Sequence, residues 1–176
     1  MEVCNLDTDF DQVYEIMLAS LPKAELRSYN DQKSLLNNKR YKLITHKNKN
    51  QEIDAFMAVW EFDEYNYIEH LAVRENSRSK GIGGSILSQY LSLNSDKLVI
   101  VEVDPPIDEQ SCRRVRFYEN KGFIMNDFKH YQPELQKGMG RIELRIMTYP
   151  NKITYDEFLN TLDIFKNNGG FISSEC

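Results

Sequence analysis

The sequence has no excess of positive charge and no long hydrophobic run, and both absences narrow the range of functions. With 22 Lys and Arg residues against 27 Asp and Glu residues, the formal net charge is −5. Such a chain has no cation surplus with which to displace the counterions of nucleic acid. No apolar segment approaches the roughly 18 residues of a transmembrane helix, and no signal peptide is recognisable at the N-terminus. We therefore expect a cytoplasmic protein that binds neither nucleic acid nor a membrane.

Cysteine is also scarce. Cys4, Cys112 and Cys176 are far apart and odd in number, and no Cys-x-x-Cys or Cys/His spacing typical of a metal site occurs. Free thiols in a reducing compartment are the simplest interpretation, and we predict no metal. The 176 residues are enough for a substantial core, so residues 1–176 are treated as a single domain.

The spacing of apolar residues predicts an α/β fold of the mixed, α+β kind. Strand-like patterns occur at 2–6, 41–46, 53–62, 67–73, 97–103, 123–128 and 141–149. Helical spacing occurs at 9–20, 31–36, 85–93, 111–121 and 154–165. Polar turns separate the strands between 41 and 73, which predicts an antiparallel meander, whereas 67–103 has the strand–helix–strand order of a parallel unit. We expect a mostly antiparallel sheet of six to seven strands, flanked by helices.

The most informative segment is 78–84, Arg-Ser-Lys-Gly-Ile-Gly-Gly, between a predicted strand and a predicted helix. Glycine has no Cβ, so several backbone N–H groups can converge on an anion there. The helix that follows adds its own unpaired N–H groups and the positive end of its dipole. This combination predicts a phosphate or pyrophosphate site. For the glycines alone, a helix that begins with a flexible turn is the simpler alternative.

The spacing within this segment distinguishes between phosphate sites. A P-loop has its lysine after the glycines, but Lys80 precedes them, and the dinucleotide fingerprint fails because Ile86 occupies the third glycine position. The pattern Arg-x-x-Gly-x-Gly, which follows a strand end at 71–73, resembles the acetyl-CoA pyrophosphate loop of the GNAT superfamily of N-acetyltransferases. The resemblance implies acetyl-CoA as co-substrate and a sheet with a splayed central strand pair.

A second motif, 113–123, reads Arg-Arg-Val-Arg-Phe-Tyr-Glu-Asn-Lys-Gly-Phe and resembles the late GNAT helix, which ends in Phe/Leu-Tyr-Glu-x-x-Gly-Phe. By strand order the resemblance covers 53–149. In the family, the tyrosine at the Tyr118 position often protonates the departing CoA thiolate; packing against the cofactor is the alternative. Ser111 stands where many members have an asparagine that contacts the pantetheine. Arg113, Arg114 and Arg116 add positive charge to this helix; we expect one of them, Arg114, to reach a CoA phosphate, and a solvated basic face is the alternative.

The cofactor residues implied by the resemblance come from the strand end, the loop and the late helix. They are Leu71, Ala72, Val73, Arg78, Ser79, Lys80, Gly81, Ile82, Gly83, Gly84, Ser85, Ser111 and Arg114.

Direct attack by an amine on the thioester requires a route for the ammonium proton and donors for the developing oxyanion. In the family the backbone at 71–73 supplies the donors. Glu69 is our first candidate for the base, His70 the second and Glu102, on the next predicted strand, the third. The family strand usually carries a bulge that re-aims its side chains, so alternation alone leaves open which of Glu69 and His70 faces the thioester.

The acceptor is expected to be a primary amine of a small molecule or peptide, bound near the N-terminal helices and the last two strands. Aromatic residues that could line its site, or belong to the core or surface, are Tyr29, Trp60, Phe62, Tyr65, Tyr131 and Tyr149. The loop at 134–140 contains two glycines and could move over a substrate. A homodimer through the edge of the last strands is common in such folds. The alternative to an enzyme is a CoA-binding regulatory or interaction module of the same fold.

Overall fold

The computed structural model describes residues 2–3, 9–132, 138 and 140–169. Cys4, Cys176 and most of the expected acceptor loop at 134–140 lie outside these ranges. Within them, seven strands form one sheet: β1 Glu2–Val3, β2 Tyr41–Lys47, β3 Ile53–Glu61, β4 Tyr65–Val73, β5 Leu98–Val103, β6 Ile124–Gln132 and β7 Ile142–Tyr149. The helices are α1 Phe10–Ser20, α2 Tyr29–Ser34, α3 Ile82–Leu93, α4 Glu109–Glu119 and α5 Tyr155–Asn167. None of these helices is long and apolar enough to cross a bilayer.

The strand order is β1-β2-β3-β4-β5-β7-β6. Only β4 and β5 pair in parallel, and every other neighbouring pair is antiparallel. The prediction of a mostly antiparallel sheet of six to seven strands is therefore confirmed. The parallel pair is joined through α3, as expected for a strand–helix–strand unit.

The sheet separates two apolar clusters. One contains α1 and α5 and is rich in aromatic rings, and the other lies under α3 and α4. Trp60, Phe62 and Tyr65 belong to the first cluster and are at most 3% exposed, so these three aromatic residues support the core. Each such ring removes some 150–250 Å² from water. Of the other expected acceptor aromatics, Tyr29 and Tyr131 are exposed and Tyr149 packs on Phe123.

The boundary of α3 differs from the sequence prediction. The helix begins at Ile82 rather than Ser85, so Gly83 and Gly84 lie in its first turn. Of the three glycines in this segment, only Gly81, at φ +77°, has the left-handed conformation that glycine adopts without strain. Glycine lowers helix propensity, and this is why the sequence pattern places the helix start too late.

The central strands diverge halfway along their length. In the described residues β4 pairs with β5 from Tyr65–Leu98 to Ile68–Val101, and no pair follows although β4 continues to Val73. This is the splayed pair that the resemblance implied. The second half of β4 still pairs with β3, but its peptide groups on the β5 side face a gap instead of a neighbouring strand.

Asn126 fixes β6 to the adjacent strand and to the start of α5. Its amide donates to Ile146 O (3.2 Å) and Thr148 Oγ1 (3.0 Å), and its carbonyl accepts from the Ile153 amide (3.0 Å). The side chain is 3% exposed. Because the ladder between β6 and β7 is irregular between Met125 and Lys129, these bonds replace backbone pairing there.

We expect Asn126→Ala to lower the free energy of unfolding by about 2 kcal/mol, because it leaves buried backbone groups without partners. The neighbouring Asp127 is exposed and pairs with Lys152 at the surface, so Asp127→Ala should cost less than about 1 kcal/mol. Urea unfolding of both variants measures the difference. Equal costs would show that the Asn126 bonds do not hold this corner.

Candidate active site

A cleft of about 300 Å³ opens at the N-terminus of α3. Its lining consists of Leu71, Val73, Ser77, Arg78, Ser79, Gly81, Ile82, Gly83, Gly84, Arg114, Phe117 and Tyr118. The structure thus brings most of the cofactor residues expected from the sequence together around one cavity. Ala72, Lys80 and Ser85 are adjacent in sequence but do not line it. Ser77 and Phe117 are additions that the sequence analysis missed.

We name residues 78–84, the loop and the first turn of α3, the anion cradle, because a backbone of this kind suits an anion. The first helical hydrogen bond is donated by Ser85 to the Gly81 carbonyl (2.9 Å), so the helix itself does not use the amides of residues 82–84, which line the cleft. Arg78 holds the loop against the strand end, since its Nε donates to Val73 O (3.1 Å). A Cβ at Gly83 would lie 3.2 Å from Val73 Cγ2. A side chain at this position would therefore require Val73 to move by a few tenths of an ångström.

Tyr118 lies on the wall of the cleft and is 5% exposed. Its ring packs edge-on against Phe117 and Phe123. Burial raises the pKa of its hydroxyl to about 12, with a smaller lowering effect of Arg114. The phenol is therefore protonated at neutral pH, which an acid requires.

Ser111 is placed differently from the other expected cofactor residues. Its hydroxyl donates to Asp108 Oδ1 (2.8 Å) and accepts from the Asp108 amide (3.1 Å), completing the capping box of α4. It lines a second cavity of about 500 Å³, between the end of α1 and the end of β5. Arg114, paired with Asp104, lines both cavities. A pantetheine contact by Ser111 stays a prediction.

A β-bulge in β4 determines where the candidate bases point. Ala58 pairs with His70 and Val59 with Ile68, so Glu69 is the extra residue of its strand. Tyr67 before the bulge and Ala72 after it both belong to the α1 and α5 face. Alternation on either side of the bulge therefore brings Glu69 and His70 to that same face, opposite the loop cleft. Alternation had left open which of Glu69 and His70 faces the thioester. Because of the bulge, both side chains lie on the same face of the sheet.

Glu69 is bound in a buried ion pair. Arg27 Nη2 donates to its Oε1 at 2.7 Å, and the two side chains are 1% and 4% exposed. Burial is the largest single effect and raises the pKa of Glu69, but the charge and hydrogen bond of Arg27, together with contributions from His70 and Trp60, lower it by more in sum, so the net shift is downward. Arg27 also donates to Gln32, which donates to Tyr41. Glu69 is thus a fixed anion.

His70 and Glu102 have pKa values shifted in opposite directions. Burial lowers the pKa of His70 to about 4, with Glu69 opposing and Arg27 reinforcing the shift. Burial raises the pKa of Glu102 to about 7; the Tyr67 hydroxyl lowers it, whereas Glu69 raises it further. Glu102 is the first residue of β5 beyond the paired segment. It is therefore the carboxyl at the opening of the gap.

Several residues of this site gave no signal in the sequence. Arg27 lies between two short helical segments, Tyr67 and His130 occupy ordinary strand positions, and Glu25 is in a 3₁₀ turn, residues 23–25. Burial raises the pKa of Glu25 to about 7, with a further rise from Asp104. Each reaches the site through tertiary packing, and no local motif contains them. Within the described residues, no group of three or more His, Cys, Asp or Glu side chains could hold a metal ion.

We expect Arg27→Met to lower the free energy of unfolding by about 3–5 kcal/mol, since it leaves the Glu69 charge buried alone, and Arg27→Met/Glu69→Met to recover most of this loss. The stability that Glu69 contributes exists above its ordinary pKa and is lost as the pH falls through its lowered folded-state value. Urea unfolding at several pH values tests both points. Arg113→Met, which breaks the exposed pair with Glu109, should cost under about 1 kcal/mol; an equally small loss for Arg27→Met contradicts the prediction.

Comparison with known proteins agrees with this geometry. Residues 39–125 match the family model of the acetyltransferase (GNAT) domain. YjbC of Bacillus subtilis strain 168, a protein named as a candidate acetyltransferase, is 30% identical over 122 residues, which are 68% of this chain. The alignment spans 57% of YjbC.

Solved structures share the fold. A protein of Bacteroides thetaiotaomicron, named as a candidate acetyltransferase of the GNAT family, superposes with a TM-score of 0.80 at 22% identity, covering 95% of this chain and 97% of its own. A GNAT family acetyltransferase of Elizabethkingia anophelis, solved with acetyl-CoA bound, gives a TM-score of 0.57 at 18% identity, covering 84% and 94%. The family model, the relative and the fold agree, and the chain belongs to the GNAT family of acetyltransferases.

Proposed function

We propose that the protein is an acetyl-CoA-dependent N-acetyltransferase that acts on a primary amine of a small molecule or peptide by direct attack. The observation that carries this proposal is the gap between β4 and β5. The anion cradle and Tyr118 lie on one face of the sheet, and the buried carboxyls lie on the other. The gap joins the two faces, so a donor and an acceptor could meet there.

The cradle fits a pyrophosphate group. The amides at the start of α3 and the helix dipole favour an anion, while Arg78 and Arg114 border the cleft. Acetyl-CoA would supply an activated acetyl thioester. The cleft extends from the loop along Val73 and Leu71 toward Tyr118, which is the direction in which the acetyl end would enter the gap.

Unpaired peptide groups of β4 are the proposed donors to the thioester carbonyl. Glu69 is half-buried as a residue although its side chain is 4% exposed. Its accessible surface is therefore mainly backbone. Backbone N–H groups fixed by a sheet need no reorganisation when charge develops on the carbonyl oxygen.

Of the three candidate bases, we propose Glu102. A general base works best with a pKa near the operating pH, and that of Glu102 lies at about 7. Glu69 is held in the ion pair with Arg27. The pKa of His70, about 4, makes its imidazole a weak base. The Glu102 carboxylate would accept a proton from the acceptor's ammonium, and the neutral amine would attack the acetyl carbon.

Tyr118 is the proposed acid. When the tetrahedral intermediate collapses, the C–S bond breaks and CoA leaves as a thiolate. The protonated phenol on the cleft wall would donate its proton to that sulfur, and the second proton that the nitrogen loses as the amide forms would restore the phenol. We further propose that the protein acts in the cytoplasm, where its cysteines would remain thiols.

The cofactor assignment can be tested by thermal shift. At about a hundred times its dissociation constant, a ligand adds about 2.7 kcal/mol, so acetyl-CoA and CoA should raise Tm by about 5–10 °C, whereas ATP and NAD should not. Gly83→Glu should abolish this rise because its carboxylate would occupy the cradle. Gly83→Ala introduces the same Cβ near Val73 without charge and should retain it. A folded Gly83→Glu variant that still responds to acetyl-CoA would refute the assignment.

The acid role predicts a separation of turnover from binding. Tyr118→Phe removes the proton but keeps the ring that packs on Phe117 and Phe123, so kcat should fall about tenfold or more while the affinity for acetyl-CoA stays within about twofold. Steady-state kinetics with an acceptor found by screening amines measures kcat, and calorimetry measures affinity. Unchanged kcat at saturating acetyl-CoA would exclude the role. Binding of CoA without turnover on any amine would favour the regulatory module.

A further inference from the structure

Two buried polar atoms lie close together on one face of the sheet, one from β5 and one from β6, the strands on either side of β7. His130 Nε2 lies 3.5 Å from Glu102 Oε1, and the side chains are 11% and 10% exposed. Within the part of the chain that the structure describes, neither atom has a hydrogen bond of good geometry. Leaving a buried polar atom without a partner is unfavourable, so the position of this pair requires an explanation.

The fold fixes the direction of the histidine ring. β7 lies between the two strands, with Ile146 opposite Glu102 and Leu144 opposite His130. The imidazole packs edge-on against Phe158 of α5, with ring centroids 5.3 Å apart at 76°. Packing by α5 therefore presents Nε2 to the carboxyl.

We propose that His130 is the positioning residue of the base: its Nε2–H donates to Glu102 Oε1 and holds the carboxylate toward the gap, leaving Oε2 to receive the ammonium proton. This inference rests on the proposed function. In the step, an N–H bond of the ammonium breaks and an O–H bond forms on Glu102. His130 keeps its proton throughout, and nothing is oxidised or reduced. The 3.5 Å separation lies at the long limit for a hydrogen bond.

The surroundings keep the histidine neutral, as this role requires. Burial lowers the pKa of His130 to about 4, and the positive charge of Lys166 on α5 lowers it further. On the other side, Glu102 faces Tyr67 and Glu69 from β4, and Glu25 from the 3₁₀ turn adds a negative charge. A neutral imidazole can donate from Nε2 when Nδ1 carries no proton, and it does so without permanently neutralising the base.

Two substitutions separate this role from simple packing. His130→Phe keeps a ring against Phe158 but removes the donor, whereas His130→Gln can still donate an N–H to Glu102. The proposed hydrogen bond from His130 stabilises the ionised carboxylate. Its loss in His130→Phe should therefore raise the pKa of Glu102 by about one to two units. In the pH profile of kcat/KM, the pKa that defines the acid limb should rise by the same amount. The value of kcat should fall about tenfold. His130→Gln should restore much of both, and KM for acetyl-CoA should not change.

The decisive measurement needs no acceptor. Carbon-13 NMR of the Glu102 side-chain carboxyl, assigned with Glu102→Gln, follows its titration in the wild type and both variants. A higher midpoint in His130→Phe than in His130→Gln supports the proposal, and equal midpoints overturn it. Lys129→Gln on the same strand, where Lys129 pairs with Glu143 at the surface, should leave the midpoint unchanged.

The same samples test the proposed function separately. All variants should keep the rise in Tm with acetyl-CoA, since the dyad of Glu102 and His130 lies across the sheet from the cradle. No rise in the wild type would refute the cofactor assignment, while the NMR titration would still decide the hydrogen bond. A shifted midpoint with unchanged kcat and acid limb would overturn the catalytic significance of the dyad.

Discussion

The separation of β4 from β5 after Ile68 and Val101 is the constraint on which the rest of the site depends. While the strands pair, their peptide groups are satisfied and the two faces of the sheet are isolated from each other. Beyond that point the bulge at Glu69 twists β4 away, and one opening connects the two faces. The cradle, Tyr118 and the carboxyls would be unrelated features of opposite surfaces if the strands remained paired.

The buried charges follow from this opening. Glu69 is the bulged residue, so its side chain stays on the face of α1 and α5, where Arg27 supplies the opposite charge. A buried carboxylate without that guanidinium would be strongly unfavourable. Glu102, one position beyond the paired segment, has no such partner and its pKa rises instead. Two carboxyls at equivalent depths thus acquire different chemistry from one nearby arginine.

The sequence was informative where the chemistry is local. Strands, helices, the cradle and the Tyr118 helix follow from periodicity, glycine spacing and short motifs, which act within one turn or one strand. The start of α3 was misplaced because glycine has a low helix propensity, although Gly83 and Gly84 lie in the first turn and Gly83 packs closely against Val73. Arg27 and His130 could not be found, because their partners lie 42 and 28 positions away along the chain. The resemblance implied a bulge in this strand, but its position at Glu69 could not be derived because alternation assumes a regular strand.

The opposite pKa shifts of the buried acids and histidines have a consequence for proton exchange on unfolding. Between the ordinary values of 4.5 for glutamate and 6.5 for histidine, folded Glu25 and Glu102 hold protons while folded His70 and His130 do not. On unfolding, the glutamates release two protons and the histidines take up two. The slope of stability with pH depends on the net number exchanged, which is close to zero for these four groups. Proton uptake at one pair thus compensates release at the other, and a mildly acidic medium leaves their combined contribution to stability nearly constant.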